Sequence, residues 1–197
     1  MTKMKLYRIQ GNTKDYSCFL EKGYGHYSKS IKNKALHEQN WKPFNLNTYV
    51  VPEFELISSD SGKRNYQFDV STIENPFFIF SENAVEALKD ILEPRGQFLP
   101  IKTPSKRKKF IGYYPTNVLT DSIDIEKSEM KDYDYKNMGI KKKNLHFKKG
   151  TILDDYLFSV SEDRLYVFVT EKFRQRVEEA GLKGFDFEGR EFIVTVD

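Results

Sequence analysis

The alternation of apolar and polar residues predicts short strands along most of the chain. Alternation with a period of two is typical of a strand with one buried face, and a short, wholly apolar run indicates a strand buried on both faces. By these patterns, the predicted strands are residues 4–9, 48–51, 54–57, 66–70, 76–80, 98–101, 110–119, 156–160, 164–169, 184–187 and 191–196. Residues 161–163 are expected to form a turn that joins two of these strands into a hairpin.

Residues 81–92 have the periodicity of an amphipathic helix. Ser81 stands at the position of the N-cap, where its hydroxyl can accept a hydrogen bond from an amide of the first turn. Apolar residues recur on one face of this helix at Ala84, Val85, Leu88, Ile91 and Leu92. Pro94 and Gly96 are expected to end the helix.

A second helix is predicted at residues 171–180, with Thr170 as its N-cap residue. Its expected inner face consists of Phe173, Val177 and Ala180. Gly181 can adopt the left-handed conformation that ends many helices, and an apolar Leu182 follows it as in a Schellman motif.

The order of these elements indicates the fold class. The helices do not alternate regularly with the strands, as they would in a doubly wound parallel sheet. We therefore predict an α+β fold, a mainly antiparallel sheet of short strands with two main helices at about residues 81–92 and 171–180. Residues 1–197 are expected to form a single domain, in which glycines and prolines make residues 1–65 an irregular N-terminal part.

Composition and charge narrow the class of protein. The chain is 39% hydrophobic and 31% charged, which is typical of a globular protein, and its net charge of +3 gives little long-range attraction to nucleic acid or anionic lipid. A single cysteine allows no internal disulfide bond. The first residues contain no apolar stretch of signal-peptide length, and no run approaches the roughly 20 apolar residues of a membrane span. We expect a cytoplasmic protein without membrane contact.

No recognised catalytic or metal-binding pattern occurs in the sequence. His26, His37 and His146 are widely separated, and no zinc-type spacing, phosphate-binding glycine loop or nucleophile elbow is present. Cys18 could be brought next to His26 or His37 by folding, but a lone cysteine is more often a small buried hydrophobic residue. We therefore expect no catalytic residues, cofactor or metal, and an enzyme of unrecognised type stays as an alternative.

An acidic block at residues 121–135 is the candidate for binding a protein partner. Its carboxylates could mimic phosphates in a basic site, and tyrosine adds contact area and a polar tip. The candidate partner-binding residues are Asp121, Asp124, Glu126, Glu129, Asp132, Tyr133, Asp134 and Tyr135. The opposing interpretation is a solvated charged loop that pairs loosely with the lysine-rich residues 136–149.

Two basic segments support an alternative function as a small nucleic-acid-binding module. Residues 104–109 are expected to form an exposed turn, in which residues 106–109 are all basic, and residues 141–149 combine lysines with Phe147. Basic residues interleaved with an aromatic side chain can hold a single strand by phosphate contact and base stacking. Because the overall charge is small, nucleic acid is not the expected partner.

Several short motifs occur in an order that resembles one protein family. They are Phe-Ser-Glu at 80–82, Ala-Val-x-Ala-Leu at 84–88, Gly-x-x-Leu-Pro at 96–100, Tyr-x-x-x-Asn at 113–117, Val-Thr-x-x-Phe at 169–173 and Gly-Leu-x-Gly-x-x-Phe at 181–187. Together, over residues 66–187, they resemble immunity proteins encoded beside bacterial polymorphic toxins, a family long known only as a domain of unknown function. Gln97 departs from the pattern, which has an acidic residue there, and residues 10–65 match no part of it.

This resemblance implies a biological class and no catalytic residues. It implies a binding protein, active as a monomer or small oligomer, that neutralises a cognate toxin encoded nearby. Neutralisation would follow from occluding or distorting the active site of the toxin.

Overall fold

The computed structural model describes residues 2–23, 29–130, 142–148, 150–152, 156–187 and 191–196. Its largest sheet has six strands and is antiparallel in its centre, with a parallel pair at each edge. In spatial order the strands are β11 (His146–Phe147), β14 (Glu191–Val196), β1 (Thr2–Arg8), β13 (Asp163–Thr170), β12 (Leu157–Val160) and β8 (Val118–Leu119). The predicted α+β class, with mainly antiparallel sheets, is confirmed.

Both faces of the six-stranded sheet are buried. Along β13, Val167 and Val169 enter one core cluster, whereas Phe168 enters the other. In β1, Tyr7 and Leu6 divide between the same two clusters. This division follows from the two-residue period of a strand, which sends successive side chains to opposite faces.

The second sheet is antiparallel and has four strands. In spatial order they are β4 (Val70–Ser71), β5 (Phe78–Ser81), β7 (Phe110–Pro115) and β6 (Gly96–Leu99). Gly96 starts β6 in an extended conformation, and a Cβ atom there would lie 2.4 Å from the ring of Tyr113. The absence of a side chain at Gly96 therefore lets the Tyr113 ring lie against the backbone of the neighbouring strand.

Two short strand pairs complete the described sheets. They are β2 (Cys18–Glu21) with β3 (Phe54–Ile57), and β9 (Glu129–Met130) with β10 (Lys142–Asn144). Both pairs are antiparallel.

The first predicted helix is confirmed as α2 (Glu82–Leu92), which continues as a 3₁₀ turn over Glu93–Arg95. Ser81 Oγ accepts the amide of Ala84 at 3.1 Å, as a capping residue should. Four of the five residues predicted for the apolar face are fully buried, and Val85 is partly buried.

The second predicted helix is α3 (Glu171–Glu179), and two details of its prediction were wrong. Thr170 occupies the N-cap position, but its buried hydroxyl makes no hydrogen bond to the helix. Ala180 is exposed because the helix has ended before it, whereas Phe173 and Val177 are buried. The Schellman motif is confirmed, since Gly181 has φ +64° and the amide of Leu182 donates to the Val177 carbonyl at 3.1 Å.

Three strand predictions were wrong in whole or in part. Thr48 ends a turn, residues 49–51 pair with no strand in the described structure, and Val50 is 70% exposed. Residues 66–69 are irregular and only Val70 lies in a strand, and residues 184–187 contribute a single bridge from Phe185 to Gly11. Apart from Val70, which pairs with β5, these residues have no neighbouring strand in the described structure that supplies a ladder of hydrogen bonds.

The irregular N-terminal part contains a helix that the sequence patterns did not predict. Helix α1 (Ile31–Asn33) continues as a π-helical turn, Lys34–Glu38, which buries Ala35 and Leu36. The Tyr114 hydroxyl of β7 donates to the Ala35 carbonyl at 3.0 Å and accepts the Trp41 amide at 2.9 Å. One side chain of the four-stranded sheet thus fixes the end of this helical segment.

Gln97 in β6 holds another part of the N-terminal segment. Its Oε1 accepts the Phe44 amide at 2.7 Å, and its Nε2 donates to the Phe44 carbonyl at 3.0 Å. A carboxylate could accept the first of these bonds but could not donate the second. The departure from the family pattern at Gln97 therefore has a structural role in this chain.

A single carboxylate, Asp69, joins three other segments of the chain. Its Oδ1 accepts the Ser81 hydroxyl at 2.6 Å and Lys108 Nζ at 2.7 Å, and its Oδ2 accepts the Lys183 amide at 2.8 Å. Burial alone raises the pKa of Asp69, but the hydrogen bonds from Lys108, Ser81 and the Lys183 amide outweigh it and hold that pKa below its usual value.

We expect Asp69→Asn to lower the free energy of unfolding by about 3 kcal/mol, because the substitution breaks a buried ion pair and sets an amide donor against another donor. Above the unfolded pKa of about 4 the carboxylate stabilises the fold, and this stabilisation is lost as pH falls through the lower folded pKa. Urea unfolding between neutral and acidic pH measures both effects. Asp60→Asn, at an exposed position, is the control. If the free energy of unfolding depended on pH equally in Asp69→Asn and wild type, the stabilising role of the Asp69 carboxylate would be contradicted.

We expect Gln97→Glu to lower the free energy of unfolding by about 1–2 kcal/mol at neutral pH, because it removes a donor and faces a carboxylate to the Phe44 carbonyl. The same substitution at exposed Gln175 on α3 should have little effect. Thermal unfolding of the two variants makes the comparison, and equal stability would argue against the paired hydrogen bonds at Phe44.

Candidate partner-binding loop

The described part of the acidic block forms a loop over residues 121–128, here called the acidic loop. The structure brings three of the predicted partner-binding residues, Asp121, Asp124 and Glu126, together in this loop. The side chain of Glu129 lies outside the described structure. So do the other four predicted residues, Asp132, Tyr133, Asp134 and Tyr135.

The acidic loop is fixed to β11, at an edge of the six-stranded sheet. The Asp124 amide donates to the His146 carbonyl at 2.8 Å, and the Lys148 amide donates to the Ser122 carbonyl at 2.9 Å. Between these bonds, Ile123 is buried in the same cluster as Phe147. An apolar anchor at the centre of the loop therefore holds its flanking carboxylates at the surface.

Two side chains complete the hydrogen bonds of the loop backbone. Glu162, in the turn between β12 and β13, accepts the amides of Ser122 and Ile123 at 3.0 and 3.1 Å. The Ser128 hydroxyl donates to the Asp124 carbonyl at 2.6 Å and accepts the His146 amide at 2.9 Å. Sequence reasoning missed Glu162, because it lies about 40 residues from the amides that it binds.

Ion pairs within the protein neutralise part of the negative charge of the loop. Asp121 pairs with Lys148, as predicted for loose pairing between the acidic and lysine-rich blocks. Asp124 accepts the Lys127 amide and lies 3.4 Å from Lys127 Nζ. The backbone hydrogen bond from Lys127 is the main cause that lowers the pKa of Asp124, so this carboxyl stays ionised at neutral pH.

The tip of the acidic loop presents an apolar residue beside a carboxylate. Ile125 is 62% exposed, and its neighbour Glu126 is exposed as well. The tip of the loop therefore presents one apolar and one charged side chain to solvent. The sequence patterns identified this segment only as an acidic block and did not distinguish the buried Ile123 from the exposed Ile125.

The structure does not support the interpretation of the basic segments as a nucleic-acid site. Phe147, the proposed stacking residue, is 1% exposed and packs in the core. Lys148 pairs with Asp121, Lys109 with Glu82, and Lys108 with Asp69. Lys108 is partly buried, so the prediction that residues 104–109 form a simply exposed turn was wrong at this position.

Cys18 has the properties of a structural cysteine. It is buried on β2, and burial together with the charges of Asp60 and Glu74 raises the pKa of its thiol to about 11. The thiol is therefore protonated at neutral pH and is a poor nucleophile. His37 is exposed on the π-helical turn, and His26 lies outside the described structure.

Neither a metal cluster nor a membrane-spanning helix occurs in the described parts of the chain. Among these residues, no three His, Cys, Asp or Glu side chains are grouped so that they could hold a metal ion. None of the described helices is long and apolar enough to cross a membrane.

Comparison with models of known protein families gives a match. The model of the Immunity protein family (Imm11) matches residues 67–190, well over half of the chain. The matched span starts in the bend before β4, contains α2 and α3, and includes the whole acidic loop. A search of curated proteins found no match to the chain.

We expect Glu162→Ala to loosen the acidic loop, because two loop amides lose their acceptor, at a cost of about 1–2 kcal/mol. Hydrogen–deuterium exchange at Ser122 and Ile123 should become faster, while exchange in α2 stays unchanged. Glu126→Ala is the matched control, since Glu126 is exposed in the same loop. Unchanged protection of both amides in Glu162→Ala would contradict the anchoring role.

Proposed function

Since the chain belongs to the immunity protein family Imm11, we propose that it neutralises a cognate bacterial toxin by binding to it directly. The observation that carries this proposal is the family match over residues 67–190. In this proposal the protein is an inhibitor that catalyses no reaction. Its partner is the toxin encoded nearby, and it acts in the cytoplasm as a monomer or small oligomer.

The acidic loop is the surface that we propose for toxin contact. Its backbone amides donate to Glu162 and to the His146 carbonyl, and its Ser122 carbonyl accepts the Lys148 amide, so little conformational entropy would be lost when a partner binds. Ile125 offers an apolar contact at the tip, and Glu126 offers a carboxylate that makes no ion pair with another described residue. This combination favours a basic surface with an apolar centre as the complement.

The proposed contact continues from the loop into the rest of the acidic block. Asp132 and Asp134 add carboxylates, and Tyr133 and Tyr135 add aromatic side chains in sequence. Carboxylates placed in a basic cleft can take the positions of substrate phosphates, and the bound protein then blocks access to the cleft. The active site of the toxin would be neutralised by occlusion rather than by chemistry.

We expect co-expression with the product of the neighbouring gene to rescue growth of a host that lacks both genes, and the two proteins to copurify. A triple variant, Glu126→Gln, Asp132→Asn and Asp134→Asn, should lose rescue, because it removes three carboxylates from the proposed surface. The control variant, Glu55→Gln, Asp60→Asn and Glu86→Gln, removes the same charge from exposed positions elsewhere and should still rescue.

The outcomes of this experiment separate the function from its proposed surface. Absence of both toxicity and a complex would contradict the toxin-binding function. Full rescue by the triple variant of the acidic block would keep the function and reject this surface.

A further inference from the structure

Two adjoining depressions lie on the surface near Gln67, and Gln67 lines both. The first, here called the Tyr66 depression, has a volume of about 490 Å³ and is lined by Tyr66, Gln67, Pro104, Ser105, Lys106, Arg107 and Lys108. The second, here called the Lys183 depression, has a volume of about 590 Å³ and is lined by Asn12, Asp15, Tyr16, Lys63, Asn65, Gln67 and Lys183. The shared glutamine makes them one continuous surface.

The floor of the Tyr66 depression is apolar and held in place. The Tyr66 ring packs at 6.2 Å from the Phe19 ring and at 6.3 Å from the Phe110 ring. The Nζ atom of Lys108 lies 5.7 Å from the centre of the Phe110 ring, and it forms an ion pair with Asp69. Lys108 therefore contributes its aliphatic stem to the floor rather than a free charge.

Four cations surround this continuous surface. Lys106 and Arg107 border the Tyr66 depression, and Lys63 and Lys183 border the Lys183 depression. All four side chains are exposed. Within the described residues, none of the four makes an ion pair or a side-chain hydrogen bond. The carboxylate that lines this surface, Asp15, accepts a hydrogen bond from Asn12 at 3.1 Å.

The backbone beneath these cations is fixed by hydrogen bonds. The Lys183 amide and carbonyl both pair with Asp69, at 2.8 Å each. The Lys63 amide donates to the Ser59 hydroxyl at 3.0 Å. The Ser105 hydroxyl donates to the Lys108 carbonyl at 2.7 Å and so closes the segment of residues 104–109, here called the basic turn. The cations are thus presented from rigid positions, which favours a specific partner over diffuse attraction.

We infer that this surface, here called the basic surface, binds an acidic segment of a partner protein. One apolar or aromatic side chain of that segment would lie on the floor beside Tyr66, and its carboxylates would face Lys63, Lys106, Arg107 and Lys183. The inference rests on the proposed function in taking the cognate toxin as the protein that carries this segment. It adds a second contact, opposite in charge to the acidic loop.

An acidic protein segment fits this surface better than a nucleic acid does. The cations form two groups separated by the neutral Gln67, whereas a phosphate backbone is bound by a continuous basic track. The small net charge of +3 also gives weak general attraction to a polyanion.

Two double variants test the basic surface, Lys106→Glu with Arg107→Glu and Lys63→Glu with Lys183→Glu. The control is Lys42→Glu with Lys89→Glu, which makes the same change in net charge at exposed lysines that line neither depression. We expect each test variant to weaken binding of the purified, catalytically inactivated toxin by about 100-fold, and the control to bind like wild type. The difference should shrink when salt rises from about 50 to 300 mM.

Circular dichroism establishes that each variant is folded before binding is measured. If folded test variants bind the toxin as tightly as wild type does, the basic surface is rejected and the toxin-binding function stands. If wild type does not bind the toxin, the proposed function fails, and two polymer probes decide the inference. Binding of poly-L-glutamate that both test variants abolish would support it, whereas binding of oligothymidylate alone, or of neither polymer, would overturn it.

Discussion

The fold depends on keeping the Asp69 carboxylate satisfied while it is buried. An ionised carboxylate is costly to bury, and the cost is offset only when several donors reach it together. Here the donors come from the cap of α2, the basic turn and the segment after α3, which are distant in sequence. All three segments must therefore be in place at once, and the carboxylate couples the packing of both main helices to the four-stranded sheet.

The six-stranded sheet extends this coupling to the acidic loop. One face of the sheet packs on the cluster that contains α2 and α3, and the other packs on Ile123, Leu145 and Phe147. The loop that carries the candidate contact residues therefore covers the core cluster on this second face of the sheet. Its position is set by apolar burial and main-chain hydrogen bonds, which leaves Ile125 and Glu126 free to serve recognition.

Local signals predicted what local interactions determine. The cap at Ser81, the apolar face of α2 and the Schellman motif at Gly181 each depend on residues within a few positions, and all were predicted correctly. The cap predicted at Thr170 is an exception, since its hydroxyl makes no hydrogen bond to the helix. The other failures have distant causes. Residues 48–51 were predicted as a strand but pair with no strand in the described structure, and the burial of Phe147 is decided by contacts with Phe158 and Phe168. The role of Glu162 likewise depends on a loop far away in sequence.

The two edges of the six-stranded sheet are strands of only two residues each, β8 and β11. A long exposed edge is a template for further strands and promotes aggregation, and very short edge strands present few unpaired groups. Both edges here come from the chain on either side of the acidic loop. The residues that flank the proposed recognition loop thus also form both edges of the sheet, so the placement of the loop and the termination of the sheet depend on the same stretch of chain.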